Sequence, residues 1–530
     1  FFSKLSTTII PFVKISLSNR GSLGKRQNYS HSYKYIPEQY LRSRTDSWQS
    51  SLNFTHTLAN NFFYEVKASY FNQGYYSGID KDTSEYLTST EEQYFENIGN
   101  GHEFYSLSDH PQLLDSRTAT MDLKTDAVWQ LGSLNEIKVG VSYKKHWLKL
   151  YDIYDPKRNF PYIDNYNTEP FEGAAYVQDK IELAYLVINL GLRFDYINSN
   201  IVFRDDPLDP NSMVEVKTRS QFSPRIGIAH PISDRTKLHF SYGHFFQNPD
   251  FQYLFENNLY DLNVREPLFG QPNLDAQRTI SYEVGLSHQF SDNIAMNLTA
   301  YYRDITGLIG TRYYAPFVEG RYTGYTLYVN EDYANIKGFE ITVDVRPNKY
   351  FSGGLTYTYS VAKGSASSET EQYPGTDEST QLYYLDFDRP HVFNASGTYT
   401  IPKDEGPEVF GSTIFDDMDF SLIFKASSGA PYTPSGRDIG FVDKNSLREP
   451  SLYNFDLMIG KEIEFTENLR LRLFAEILNL TDHRNILYVY GDTGDPDYTT
   501  VGGYSTEYMQ DPSNYGPPRS VRIGFTFRFN

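Results

Sequence analysis

The chain ends in a segment where apolar and polar residues alternate one by one. From Val521 to Phe529 the odd-numbered positions are all apolar, whereas the even-numbered positions include Arg522 and Arg528. Because side chains on a β-strand point alternately to opposite faces, this segment has one apolar face and one charged face. Such a strand fits a soluble sandwich, and it also fits the last strand of a barrel that touches lipid outside and water inside.

The same alternation recurs along the chain, and the polar faces again carry charges. In a soluble sandwich these faces would meet bulk water, and in a barrel they would meet a wet lumen. The clearest segments are Ile137–Lys144, Phe339–Arg346, Leu355–Ser360 and Leu469–Ile477, in the last of which only Phe474 lies on the polar side.

The connections between these segments are alternately short and long. The short ones are rich in Asn, Asp, Gly, Ser and Pro, as tight hairpins require, and loops above about 15 residues are uncommon in compact soluble domains. Short turns at one end and long loops at the other indicate an all-β fold, a transmembrane antiparallel β-barrel of the outer-membrane type. We expect one domain over residues 1–530 with about 16–18 strands, although the first 45 residues show no clear pattern. Short turns are predicted at Leu58–Asn61, Leu131–Asn135, Ile232–Arg235, Phe290–Asn293, Arg346–Tyr350 and Glu464–Asn468, with an enlarged turn at Pro402–Asp417. Long connections are predicted at Ser77–Ser116, Asp152–Phe171, Phe203–Ser220, Gln247–Gln277, Thr311–Leu327, Lys363–Asp388, Ser427–Pro450 and His483–Gly516.

The composition agrees with a strand-built membrane protein. No run approaches the roughly 18 apolar residues that a membrane-spanning helix needs, whereas spanning strands are half polar, so a mean hydropathy of -0.53 is no obstacle. Aromatic residues make up 16% of the chain, with 46 Tyr and 37 Phe, and such rings suit the boundary between membrane and water. The absence of Cys excludes disulfide scaffolds and Cys-based zinc sites. The net charge of -19 argues against nucleic acid as a partner.

Four stretches resemble the C-terminal barrel of TonB-dependent receptors. The first, GQPNLDAQRTISYEVGL at residues 270–286, is similar to the family's N-L-x-x-E-x-x-x-x-x-E-x-G pattern at Glu283 and Gly285, with Gln277 in place of the first acid. The others are ANIKGFEITV, RLFAEILNLTD and the ending PPRSVRIGFTFRF. Each motif alone is weak, but their order and spacing match the family over Ser220–Asn530.

The resemblance implies a fragment of a 22-strand barrel that imports scarce ligands across the outer membrane of a Gram-negative bacterium. In the family an N-terminal plug fills the barrel and receives energy from the TonB complex. Because no plug is recognisable here, and because Phe1–Thr7 show no signal segment, we expect an N-terminally truncated chain. The expected partners are outer-membrane lipid, lipopolysaccharide, the TonB complex and an unknown small or oligomeric ligand. A surface lipoprotein, which some glycan importers use, stays open.

The candidate functional residues lie in the long connections and on the polar strand faces. No catalytic constellation or cofactor motif is recognisable, so we expect neither enzymatic activity nor a cofactor. Tyrosine rings in the loops could stack on sugars or aromatic iron chelates, or could simply pack the loops together. Candidate ligand contacts are Tyr253, Tyr313, Tyr314, Tyr373, Tyr383, Tyr488, Tyr490, Tyr498, Tyr504 and Tyr508. Candidate lumen- or plug-facing residues are Arg470, Arg472, Glu476, Arg522 and Arg528.

Two acidic loop segments could hold calcium, although solvated acid is the default state of such loops. The tighter one is GDTGDPD, with Asp492, Asp495 and Asp497. The other has an EF-hand-like spacing but carries Glu85 where a glycine is required. Its ligands would be Asp80, Asp82, Ser84 and Glu91.

Two rival functions remain at this point. The chain could be a passive porin or adhesion barrel without energy coupling, or a secreted soluble all-β protein that binds carbohydrate. The ligand of an importer (siderophore, glycan, peptide or cobalamin) also stays open.

Overall fold

A computed structural model describes most of the chain and is almost entirely β-structure. It describes residues 1–87, 104–106, 108–157, 161–262, 267–318, 321–322, 324–371, 381–408, 411, 413–436, 442–466, 468–502 and 504–529. Within these residues no helix is long and apolar enough to cross a membrane.

Twenty-eight strands are present in this part of the chain. The first ten are β1 Phe2–Ile10, β2 Val13–Gln27, β3 Arg42–Ala59, β4 Phe62–Gly78, β5 Gln112–Leu131, β6 Asn135–Tyr154, β7 Tyr162–Thr168, β8 Phe171–Leu183, β9 Leu186–Asn198 and β10 Val202–Arg204. The next nine are β11 Met213–Glu215, β12 Arg219–Ser233, β13 Thr236–Gln247, β14 Leu268–Phe269, β15 Gln277–Ser291, β16 Ile294–Tyr314, β17 Phe317–Val318, β18 Arg321–Tyr322 and β19 Tyr325–Val345. The last nine are β20 Phe351–Gly364, β21 Tyr383–Tyr384, β22 His391–Ile401, β23 Met418–Ser427, β24 Pro431–Tyr432, β25 Leu447–Arg448, β26 Leu452–Thr466, β27 Leu469–Leu478 and β28 Ser520–Phe529. The α-helices are α1 Phe251–Phe255 and α2 Thr506–Met509, and single 3-10 turns lie at His31–Tyr33, Pro37–Gln39, Thr83–Glu85 and Pro512–Asn514.

The long strands form one antiparallel sheet in which each strand pairs with the next long strand in the chain. The sheet has 22 strands, and among the described residues nineteen of them have nine residues or more. Three short strands, β7, β14 and β21, extend it at one end. The predicted all-β antiparallel fold is confirmed, with slightly more long strands than the 16–18 expected.

The sheet curves so that two long connections near its opposite ends meet. Among the described residues no pairing joins β1 to β28, but the connections next to these strands meet. His31 Nε2 lies 3.0 Å from the carbonyl oxygen of Tyr508, and Lys34 Nζ lies 2.7 Å from Glu507 Oε1. Contacts between residues so distant in the sequence require a barrel-like course of the sheet.

The predicted alternation of short turns and long connections is confirmed. The enlarged turn Pro402–Asp417 joins β22 to β23 at the same end as the tight turns. Two details differ from the prediction. The first is a long connection, residues 28–41, which precedes β3 within the segment that showed no pattern. The second is that β16 continues to Tyr314 and β19 begins already at Tyr325, so the connection between them is shorter than predicted.

The two faces of the sheet differ in polarity, as β5 illustrates. Leu123 and Trp129 lie on the apolar face and are 47% and 43% exposed, because none of the described residues covers them. Lys124 and Asp126 lie on the other face and form an ion pair of 2.8 Å. Strand pairing extends both faces to the neighbouring strands.

The apolar face has the height of a lipid bilayer core. On β5 it runs from Trp129 to Ala119. Ala119 is paired with Trp147 of β6 and with Asn72 of β4. Asn72 is in turn paired with Trp48 of β3. Ten residues at about 3.4 Å each, tilted by about 45°, span roughly 24 Å. We call this surface the apolar band.

The largest buried cluster lies beyond the apolar band, at the long-connection end. Within the described residues its members belong to strand ends and to the connection that contains α1. They are Leu148, Leu254, Phe255, Leu268, Leu274, Ile309 and Tyr328.

Candidate functional site

The long connections pack on one another into a cap at one end of the barrel. Ser199 Oγ donates a hydrogen bond of 3.0 Å to the carbonyl of Pro272, and Asn445 Nδ2 donates one of 2.7 Å to the carbonyl of Tyr384. Each bond joins two different connections. Because loops on a rigid scaffold commonly carry binding function, this cap is the candidate site.

The last connection, residues 479–519, brings several of the candidate tyrosines together. Ser505 caps α2 by accepting a hydrogen bond of 3.3 Å from the Tyr508 N–H. The Tyr508 ring lies 5.0 Å from that of Tyr504 and 5.2 Å from that of Phe104. Tyr490 Oη donates a hydrogen bond of 2.9 Å to the carbonyl of Met509. This aromatic group holds the connection in place and leaves Tyr504 partly exposed.

The remaining candidate tyrosines divide into an exposed and a packed set. Tyr313, Tyr488 and Tyr498 have about half of their surface exposed and are available to a ligand. Tyr314 instead stacks on Tyr325, with ring centroids 5.4 Å apart. Tyr373 lies outside the described residues.

Tyr383 is buried and takes part in a polar group that links two connections. Its hydroxyl donates to Glu371, which also pairs with Lys444. The Lys444 ammonium lies 4.6 Å from the centre of the Tyr383 ring. Burial raises the pKa of Tyr383 to about 12 and lowers the pKa of Lys444. This tyrosine therefore holds the cap together and presents little surface.

Tyr253 belongs to a buried acidic group that the sequence gave no reason to expect. Its ring lies 5.1 Å from that of Tyr328, whose hydroxyl donates a hydrogen bond of 2.7 Å to Glu256 Oε2. The N–H of Asn257 donates one of 3.2 Å to Asp164 Oδ1. Burial, together with the charge of Glu256, raises the pKa of Asp164 to about 7, and burial also raises the pKa of Glu256. Asp164 thus ties the α1 connection to β7, and Glu256 ties it to β19.

A cavity of about 420 Å³ lies between residues 30–40, residues 86–87, 105 and 108–111, and the end of β6. Tyr33 and Tyr40 form part of its wall, with ring centroids 5.2 Å apart, and His110 lies 5.2 Å from Tyr40. Burial lowers the pKa of His110, so the ring is neutral at neutral pH. Aromatic faces among polar groups suit a sugar or an aromatic chelate. Sequence reasoning missed this site because it could not parse the first 45 residues.

The acidic turn at residues 492–497 does not gather its carboxylates around one point. Asp492 accepts hydrogen bonds from Thr499 and Thr500, Asp495 accepts one from the Asp497 N–H, and Asp497 accepts one from a tyrosine hydroxyl. Across the described part of the chain, no group of three or more His, Asp or Glu side chains is arranged to hold a metal ion. Asp492 and its neighbours therefore shape the turn.

The second acidic segment also uses its carboxylates within the protein. Asp82 accepts a hydrogen bond of 2.8 Å from the Ser84 N–H, and Asp80 pairs with Arg44 at 2.6 Å. Glu91 lies outside the described residues.

The charged residues of β27 and β28 lie on the polar face of the sheet. Arg472 pairs with Asp419 at 2.7 Å, and Arg522 lies 3.5 Å from Glu476. Arg470 and Arg528 are directly opposite each other in the ladder. The contact of these residues with a plug stays a prediction.

A family model described as "TonB dependent receptor-like, beta-barrel" matches residues 7–480. No curated protein matches the sequence. Among solved structures the chain is similar to the copper transporter OprC, with 14% identity, a TM-score of 0.62, 99% of this chain and 70% of that one covered.

Two further structures are similar over the whole chain. The outer membrane transporter YddB from Escherichia coli has 12% identity and a TM-score of 0.69, with 99% of this chain and 68% of that one covered. The P. aeruginosa FpvA in complex with an iron-bound pyoverdine has 13% identity and a TM-score of 0.66, with 100% of this chain and 64% of that one covered. At this identity the likeness concerns the fold, and the chain spans about two thirds of each of these proteins.

Proposed function

The chain belongs to the TonB-dependent receptor-like β-barrel family, and on that premise we propose that it imports a scarce or bulky ligand across the outer membrane of a Gram-negative bacterium. The cap of long connections binds the ligand outside the cell. The polar barrel interior then offers the path inward, and the TonB complex supplies the energy. Because the chain spans about two thirds of the similar structures, the coupled activity of the whole protein belongs to the proposal.

The observation that carries the proposal is the cap on one end of a wide, polar-lined barrel. A barrel of this strand number is wide enough for an aqueous interior. At one end of it, connections distant in the sequence are joined by specific bonds, such as Asn445 to Tyr384. An outer-membrane location is supported by the apolar band of roughly 24 Å, the thickness that lipid requires of outer-membrane barrels.

The ligand-contacting surface of this proposal has two parts. One is the cavity lined by Tyr33, Tyr40 and His110. The other is the set of exposed rings on the cap, including Tyr488, Tyr498 and Tyr504. Aromatic rings with polar edges suit iron chelates and sugars alike, and the ligand class stays open between a siderophore, a glycan, a peptide and cobalamin.

Two alternatives are kept because the same strands would serve them. A passive porin or adhesion barrel also needs an apolar band and a polar interior, and a soluble sugar-binding protein also uses exposed tyrosines. The importer is favoured by the family to which the barrel belongs and by the bonds that join one long connection to another, such as Ser199 to Pro272.

Uptake measured with and without membrane energy tests the proposal. The similar structures are described as handling copper, pyoverdine-bound iron and ferric catecholate, so we choose a ⁵⁵Fe catecholate chelate, a ⁵⁵Fe pyoverdine and ⁶⁴Cu as probes. We expect saturable uptake of at least one probe that stops when an uncoupler is added. Non-saturable entry that ignores the uncoupler would support the porin, and recovery of native protein without detergent would exclude both barrels.

A further inference from the structure

A second cavity, of about 490 Å³, lies on the polar face of the sheet at the long-connection end. Its floor is formed by the ends of β22, β23, β26, β27 and β28, and its roof by residues 485, 487 and 516–518 of the last connection. This volume is within the usual range for sites that bind small ligands. We call this cavity the wall pocket.

Three polar side chains form a row across the floor of the wall pocket. Lys425 of β23 lies directly opposite Asn394 of β22 and Asn454 of β26 in the ladder. Lys425 is six positions from Asp419, which pairs with Arg472 on the polar face, and side chains an even number of positions apart on a strand share a face. Because neighbouring strands are about 4.8 Å apart, the row presents an amide, an ammonium and an amide over about 10 Å.

Apolar side chains border this row toward the mouth of the barrel and on β27. They are Val392, Leu452, Leu478 and Leu487. Among the described residues of the pocket wall, Tyr453 is the one aromatic residue. Its ring lies on the other face of β26, because Tyr453 is adjacent to Asn454, and its centroid is 3.8 Å from that of His483. The wall pocket therefore combines a polar floor with apolar sides and offers no ring on which a ligand could stack.

The row contains one cation that is available to a ligand. Lys425 is exposed and, among the residues that the structure describes, forms no ion pair or hydrogen bond. The acid of the pocket wall, Asp456, is held by other donors, since its Oδ1 accepts hydrogen bonds of 2.7 Å from Asn454 Nδ2 and 2.9 Å from the Asn479 N–H. With one cation and one acid, the wall pocket suits a ligand with a single carboxylate better than a polyanion.

The four open ligand classes differ in how well they match these groups. Sugars favour aromatic faces, which the wall pocket lacks among its described side chains. A ferric catecholate carries several negative charges, which one lysine beside an acid does not balance, and cobalamin is larger than the pocket. A peptide end matches every group, because its carboxylate suits an ammonium, its backbone suits side-chain amides that donate and accept, and an apolar side chain suits the leucines.

We propose that the wall pocket binds the carboxyl end of a short peptide whose last side chain is apolar. The carboxylate contacts the Lys425 ammonium. Asn394 donates to a peptide carbonyl, and Asn454, whose Nδ2 is already bound to an acid, accepts a peptide N–H through its Oδ1. The last side chain lies against Leu452 and Leu478. The inference rests on the proposed function, in which the ligand arrives from the cap, and it selects the peptide among the open classes at this pocket.

Calorimetric titration of the purified chain in detergent with the tripeptide glycyl-glycyl-leucine tests the assignment. A hydrogen bond to a charged group corresponds to about 10–100-fold in affinity, so Lys425→Gln should weaken binding by about that factor. The C-terminal amide of the same peptide should bind the unaltered protein equally weakly and should lose nothing further in Lys425→Gln. This comparison assigns the loss to the contact between carboxylate and ammonium, because a general change of the fold would weaken both peptides.

The apolar part of the wall pocket is tested with a second peptide. Glycyl-glycyl-glycine lacks the last side chain and should bind the unaltered protein about 10-fold more weakly than glycyl-glycyl-leucine. Leu452→Ala removes part of the apolar wall, so the difference between the two peptides should become smaller. An unchanged difference would show that the leucine side chain lies elsewhere and would overturn the proposed orientation.

Lys67→Gln is the matched control for charge. Lys67 of β4 lies on the polar face, directly opposite Lys124, and forms no ion pair among the described residues, so this variant removes the same charge from the barrel interior and should bind the peptide unchanged. Equal affinity of Lys425→Gln and the unaltered protein overturns the proposal, as do an equal loss in Lys67→Gln, no binding of the peptide, or equal binding of maltotriose. Since the assay contains no transport step, each result leaves the import proposal to its own test.

Discussion

The imidazole Nε2 of His31 lies 3.0 Å from the backbone carbonyl oxygen of Tyr508, although 477 positions separate the two residues. Tyr29 Oη lies 2.7 Å from Nδ1 of the same ring, so a neutral imidazole can donate to the carbonyl and accept from the tyrosine. This contact joins the connection after β2 to the connection before β28. The curvature of the sheet therefore brings these two connections together at the long-connection end.

The meeting of these connections can be tested by cross-linking. The chain has no cysteine, so the variant Lys34→Cys/Glu507→Cys carries a single pair. Because Lys34 Nζ lies 2.7 Å from Glu507 Oε1, a short bismaleimide should link these cysteines and change the migration of the denatured chain on a gel. The control Lys34→Cys/Glu408→Cys places the second thiol on the enlarged turn at the other end, and linkage there at the same rate would contradict the barrel course.

The attachment of the α1 connection should depend on pH. Burial and the charge of Glu256 raise the pKa of Asp164 to about 7 from its ordinary value near 4. The folded cap therefore favours protonated Asp164. Its stabilisation is full below about pH 4 and is lost as the pH rises toward 7, by about 2–4 kcal/mol in total.

Amide hydrogen exchange at residues 248–257 measures this dependence. We expect faster exchange at pH 8 than at pH 5, after correction for the intrinsic rate. Asp164→Asn keeps an oxygen that can accept from the Asn257 N–H but cannot ionise, so exchange should become slow at both values. An unchanged difference between pH 5 and pH 8 in this variant would assign the effect to other groups.

Gly338 explains one motif of the family resemblance in physical terms. A Cβ at this position would overlap the carbonyl oxygen of Tyr359 on the neighbouring strand and would lie 2.9 Å from Tyr301 Oη. Gly338→Ala must displace backbone, which we expect to cost about 1–3 kcal/mol. Gly354→Ala is the matched control, because its nearest neighbour, the Val343 carbonyl, is 3.5 Å away. In urea unfolding measured in detergent, the midpoint should be lower than that of the unaltered protein for Gly338→Ala only. Equal midpoints for the two variants would show that β19 and β20 approach each other less closely at Gly338 than the structure indicates.

The tyrosine cavity should contribute to ligand affinity. Tyr40→Ala removes a ring from its wall, and a lost aromatic contact corresponds to about 3–10-fold in affinity. The measurement is binding of the ⁵⁵Fe catecholate or pyoverdine that gives energy-dependent uptake. Tyr40→Phe should retain most of the affinity, and Tyr399→Ala, on the exposed outer surface, should retain all of it. Unchanged binding in Tyr40→Ala would move the site to the exposed rings of the last connection.

Strand positions could be predicted from the sequence because the two faces of each strand have different surroundings. The alternation in β28 and the tight turn before β6 are local signals, and both are confirmed. The first two strands were not recognised because polar residues interrupt their apolar face, as Ser3 and Asn19 do opposite each other. Short strands inside the connections, such as β7, depend on partners that the local pattern does not reveal.

The site could be predicted only in outline, since burial decides the role of each tyrosine. Nothing near Tyr383 in the sequence shows that its hydroxyl will meet Glu371, whereas Tyr498 remains exposed. The acidic pair Asp164 and Glu256 is equally hidden, because the two residues lie in different connections. In a cap made of loops, contacts distant in the sequence determine which rings a ligand can reach.

The central claim is that one face of each long strand touches hydrocarbon and the other touches water. Single cysteines along β5, in protein reconstituted into liposomes that contain lipids with brominated acyl chains, test it most directly. After labelling with a fluorophore, Leu123→Cys, Thr125→Cys and Ala127→Cys should be quenched by the bromines, whereas Asp122→Cys, Lys124→Cys and Asp126→Cys should react with a membrane-impermeant maleimide. Such a two-residue period over the whole apolar band is the predicted result. Equal reactivity of both sets with the water-soluble reagent, without quenching, would contradict the account.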